Sequence, residues 1–115
     1  MDKAEYQSRL EELNSLVKKE DYEGALAVVE AVDWQRVKSL RTLGMVADVY
    51  EANKRYPEAK KILLMAYDRS SIGKGILYRL VEVSVKMKDF DEAIDFYNEF
   101  EAVARHDNSR YLLKY

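Results

Sequence analysis

The 115-residue chain contains no cysteine. That excludes a disulfide framework, a thiolate nucleophile and a Cys-ligated metal. Its single histidine, His106, excludes a two-His zinc motif. One proline and four glycines leave little material for the tight turns of an all-β protein. No apolar run approaches the roughly 18 residues a membrane span needs. The start, Met1-Asp2-Lys3-Ala4-Glu5-Tyr6, lacks the apolar core of a signal peptide. Neither sign of charge dominates: Lys plus Arg total 19, Asp plus Glu 21, and the net charge is −2. The global basic field of a phosphate-backbone binder is therefore missing. What is present is 48% hydrophobic and 35% charged, apolar enough to fold and too polar for a membrane protein. These observations predict one cytoplasmic, helical domain over residues 1–115, with neither nucleic acid nor membrane as partner.

The chain repeats itself. Lys18 to Ala25, Ala52 to Ala59 and Lys86 to Ala93 each read as a polar stretch, an aromatic, two short residues and an alanine. Ala25, Ala59 and Ala93 share one spacing of 34 residues, as do Tyr22, Tyr56 and Phe90. Apolar residues at steps of three and four fill the space between these blocks, the period of a helix with one buried face. Leu40, Leu43, Val46, Ala47 and Tyr50 precede the second block; Ala59, Ile62, Leu63, Ala66 and Tyr67 follow it. Each unit thus reads as helix, short polar turn, helix. Six helices are predicted near 2–19, 22–32, 37–53, 56–69, 74–87 and 90–104, with a seventh beginning near Asn108.

Boundary residues agree. Asp2 with Glu5 and Asp89 with Glu92 have capping-box spacing, and Asp21 suits an N-cap. Pro57 suits a first helical turn, where its missing N–H costs nothing. Val32 to Gln35 and Ser70 to Gly75 separate the units. The recurring alanines have a packing reason: antiparallel helices approach most closely where side chains are small. Tyr22, Tyr56 and Phe90 are expected to cover the ends of the helix pairs.

On these residues the chain resembles the tetratricopeptide repeat family, whose 34-residue unit follows W-x2-L-G-x2-Y, then A-x3-F, then P. Leu43, Val46, Ala47 and Tyr50 stand at the W, L, G and Y places of the second unit. Leu77, Leu80 and Val81 match in the third, with Ser84 in place of Tyr. Arg9, Glu12, Leu13 and Leu16 match least, in the first. The closing Pro is replaced by Val37, Ser71 and Arg105. Related 35-residue repeats that read RNA bases fit worse, because the spacing here is 34 both times. The resemblance implies an all-α fold: a right-handed α-solenoid of three repeats, about 6–39, 40–73 and 74–107, plus a short C-terminal helix. Residues 108–115 would be a cap on the third unit, or the start of a longer array with self-association through this end.

The resemblance also implies a concave groove lined by the first helix of each unit. Its inner faces would carry Gln7, Leu10, Asn14, Val17 and Lys18, then Arg41, Met45, Asp48 and Glu51, then Tyr78, Arg79, Glu82, Lys86 and Leu112. Among these, Leu10, Met45 and Tyr78 would anchor a peptide, and Asn14, Arg41, Asp48, Arg79 and Glu82 would orient it. The implied function is non-catalytic protein–protein interaction as an adaptor or scaffold, without cofactor or metal. The alternative is a structural segment of a longer or self-associating assembly. Some chaperone adaptors of the family hold a peptide carboxylate with two Lys, two Asn and one Arg. Leu10, Asn14, Met45, Gly75 and Arg79 stand at those places, and only Asn14 and Arg79 match, so that activity is not expected.

Signals for catalysis are weak. Ser71 to Gly75 ends like a phosphate-binding loop, but Asp68 stands where its leading Gly belongs and no strand precedes it. His106 has no nucleophile beside it in sequence and reads as a surface residue. The basic group Lys54, Arg55, Lys60 and Lys61 is interrupted by Glu58 and reads as a solvated face.

Overall fold

The computed structural model describes residues 2–70 and 73–112, with side chains for 2–70 and 73–105. Ser71, Ile72, residues 113–115 and the side chains of His106, Tyr111 and Leu112 lie outside the described set, and with them the expectations placed on those residues. The described chain is all-α: α1 (Lys3–Lys18), α2 (Tyr22–Glu30), α3 (Leu40–Ala52), α4 (Tyr56–Arg69), α5 (Lys74–Lys86) and α6 (Phe90–Leu112). No described helix is long and apolar enough to cross a membrane.

The helices start where the caps predict. Asp2 Oδ1 accepts from Glu5 N at 2.8 Å, Asp21 Oδ1 from Gly24 N at 3.0 Å, and Asp89 Oδ1 from Glu92 N at 3.2 Å. Each satisfies one of the backbone donors that a helix start leaves without a partner. Helix α4 has no side-chain cap and instead places Pro57 in its first turn. Helix α3 begins three residues later than predicted, because Ser39 caps it by accepting from Thr42 N at 3.2 Å.

Three turns repeat one geometry. Glu20, Lys54 and Lys88 are left-handed, with φ of 60°, 59° and 61°. The next residue's N–H closes each turn onto the first helix: Asp21 to Leu16 O at 2.9 Å, Arg55 to Tyr50 O at 2.8 Å, Asp89 to Ser84 O at 2.9 Å. Each is a Schellman ending, and its last residue is also the N-cap of the second helix.

The pairs α1–α2, α3–α4 and α5–α6 pack internally, and α2–α3 and α4–α5 join one pair to the next. The result is elongated, 49 × 33 × 25 Å, with a radius of gyration of 16.0 Å; a compact globule of this length would have about 13 Å. The accessible surface of 7855 Å² exceeds the roughly 6,500 Å² of a compact chain of this mass. One apolar core nevertheless runs through all three pairs, from Leu13 through Val29, Leu43, Ala47 and Leu63 to Leu77 and Leu80. Ala25, Ala59 and Ala93 are all buried, in equivalent places.

Trp34, in the α2–α3 connection, is buried. Its Nε1 donates to Val29 O at 2.8 Å and its ring meets Tyr6 edge-on at 6.3 Å. The loop thereby closes the end of the first pair. Two expectations need correction. The predicted helix break near Asn108 is absent, since α6 runs unbroken to Leu112: polar residues alone do not end a helix. Phe90 does not cover the end of its pair. Tyr22 and Tyr56 are half-buried, and the following pair reaches over both, Asn53 Nδ2 donating to Tyr22 O at 2.9 Å and Lys86 Nζ lying 5.6 Å from the Tyr56 ring centre. Over Phe90 no such contact is made among the described residues, and it stays exposed.

Candidate functional site

Helices α1 and α3 border one cleft, and Arg79 links α5 to α3. Between α1 and α3 lies an open cleft of about 600 Å³ lined by Asn14, Val17, Lys18, Arg41, Thr42 and Met45. Asn14, Lys18 and Arg41 are exposed, while Val17 and Met45 are half-buried against the core and form an apolar floor. No ion pair joins Lys18 or Arg41 to a carboxylate among the described residues. The cleft thus offers two cations and one amide above an apolar strip.

Between α3 and α5 the surface is already occupied by its own charges. Arg79 Nη2 donates to Asp48 Oδ1 at 2.6 Å and Glu51 Oε2 at 2.7 Å, and Nη1 donates to Gly44 O at 3.3 Å. One guanidinium therefore ties the first helix of the third pair to that of the second. Burial pushes the Asp48 carboxyl above its usual 3.8, and the nearby Glu51 carboxylate adds to this; Arg79 pulls it down by charge and hydrogen bond without fully offsetting them.

The groove residues expected from the sequence thus divide into groups. Asn14, Arg41 and Met45 meet around the α1–α3 cleft, with Val17 and Lys18. Asp48 and Arg79 bind each other. Leu10 is half-buried on α1, away from the cleft lining, and Glu82 is exposed on α5. Tyr78 packs on Phe100 of α6 with ring centres 5.7 Å apart, at the far end of the row. Thr42 lines the cleft although the sequence did not single it out. Its place three residues before Met45, one helical turn away, was the available signal.

Two members of the basic group around the second turn, Arg55 and Lys60, are engaged within the molecule, while Lys54 and Lys61 are exposed. Arg55 pairs with Glu30 at 2.8 Å and Glu58 at 3.3 Å, and Lys60 with Glu92. The Arg55 hydrogen bond holds the Glu58 carboxyl below its usual range. No protein-family model matches the chain, and no curated protein matches it.

Proposed function

We propose that the chain is a tetratricopeptide-like right-handed α-solenoid that works as a non-catalytic interaction module, holding a peptide or partner segment against its first helices. Three left-handed turns spaced 34 residues apart support the repeat reading. The observation that carries the binding reading is the α1–α3 cleft, where Asn14, Arg41 and Met45 come together with Lys18 and Val17. A short segment bearing carboxylates and one or two apolar side chains suits it: Arg41 and Lys18 would take the acids, Asn14 the backbone, and Val17 with Met45 the apolar groups. Asp48 and Arg79 would act from behind, keeping α3 and α5 in register. The role needs no cofactor, and the proposed setting is the cytoplasm.

Selection of a displayed random-peptide library on the whole chain tests this. Acidic-apolar peptides should be enriched and bind with affinity on the order of micromolar. Arg41→Glu with Met45→Ala should weaken them at least about tenfold, roughly 1.4 kcal/mol, without changing helix content. Failure to enrich any peptide, or equal binding by the double variant, would overturn the cleft assignment.

A further inference from the structure

The two ends of the row differ in chemistry. Helix α3 buries Val46 and Val49, and α5 buries Leu80 and Val83 at the same places of the repeat; α1 there exposes Glu12 and Ser15. The outer face of α1 is therefore polar. The other end is apolar. On α6, Phe90 and Ile94 are each 58% exposed and Tyr97 46%; on α5, Tyr78 is 52% exposed and Val85 47%. Tyr97 occupies the place of Val29 and Leu63, which are 0% and 1% exposed because a following pair covers them.

We infer that this α5–α6 end face is a homodimer interface, on which a second copy of the chain packs with its α6 antiparallel across a two-fold axis. Stacking of one copy's start on the other's end is disfavoured, because the polar Glu12 and Ser15 would meet Ile94 and Tyr97, burying a carboxylate against apolar side chains. The α5–α6 face meeting itself sets apolar side chains against apolar ones, with the Glu101 carboxylate already satisfied by a hydrogen bond to Tyr97 at its edge, and one patch serves both copies. Charge favours the antiparallel order. Helix α6 begins with Asp91 and Glu92 and carries Arg105 further on. With the axis near Tyr97, Asp91 lies about 9 Å before it and Arg105 about 12 Å after it along the helix. Asp91 of one copy then falls beside Arg105 of the other, whose one ion pair among the described residues is an exposed contact to Glu101 at 3.3 Å. The five half-exposed side chains supply roughly 400–500 Å² per copy, about half of a standard interface side. The stems of Glu82, Lys86 and Glu101 along the rim add to that, so dissociation at micromolar concentration is expected. This interface is separate from the α1–α3 cleft and does not depend on it.

Sedimentation of the full chain over about a hundredfold concentration range around micromolar tests the inference. The expected result is a monomer–dimer equilibrium, abolished by Ile94→Glu with Tyr97→Glu while helix content is unchanged, both side chains being solvent-facing. Because the chain lacks cysteine, a single introduced thiol reports geometry: Tyr97→Cys should give a disulfide-linked dimer on oxidation, and Asn14→Cys should not. A monomer throughout the range, a dimer that survives the double Glu variant, or a ladder of ever larger species would each overturn it.

Discussion

At Glu20, Lys54 and Lys88 the backbone is left-handed although none of the three is glycine. A side chain with a Cβ in that conformation costs roughly 1 kcal/mol. The chain bears this cost three times because each turn closes two backbone hydrogen bonds and releases the second helix at the angle its partner needs. Lys54→Gly relieves the strain, while the more flexible unfolded chain takes part of the gain back. The expected net stabilisation is about 0.5 kcal/mol, seen as a rise of a few degrees in the thermal midpoint. A fall in the midpoint would mean that the lysine side chain, not the turn geometry, holds this junction.

Among elements, the Arg79 cluster is the polar link between α3 and α5. Arg79→Ala would leave Glu51, mostly buried, without its counter-charge, and should cost about 1–3 kcal/mol in urea unfolding. Arg79→Lys should recover only part of this, since one ammonium cannot reach two carboxylates and a carbonyl in the same way. A loss below about 0.5 kcal/mol would place the cluster with ordinary surface pairs. Apart from the end of α6, the helices themselves were legible in the sequence to within a few residues, because their periodicity and their Asp caps are local signals, whereas the Ser39 cap of α3 was not read. The relation between helices was not. Arg79 reads as a free groove residue on its own helix; only the placement of α5 beside α3 brings it to Asp48 and Glu51. Trp34 reads as part of a break, since nothing within the loop shows that α1 and α2 leave room for its ring and that Val29 O awaits its N–H. Asn108 reads as a new start because capping residues look alike whether or not another pair follows. In the cleft, Asn14, Arg41 and Met45 follow from the family resemblance, which assigns them to inner faces of successive first helices, whereas the lower exposure of Leu10 depends on packing that spacing does not encode.

For the whole molecule, what matters is that, among the described residues, the helices that pack extensively are neighbours in the chain. Stability should then be unequal along the row. Among the described residues the middle pair, α3–α4, is packed on both sides and α1–α2 and α5–α6 on one. Hydrogen exchange measured below the dimer concentration should show the amides of α3 and α4 opening last and those of α1 and α6 first. Uniform protection in all six helices would instead show a single cooperative unit. The three left-handed turns carry a last consequence. Their closing bonds run between main-chain atoms, so almost any residue can occupy positions 20, 54 and 88 at a modest price. Mutational drift through these corners would rewrite the letters and spare the shape, so that kinship between the units is preserved better in their dihedral angles than in their spelling.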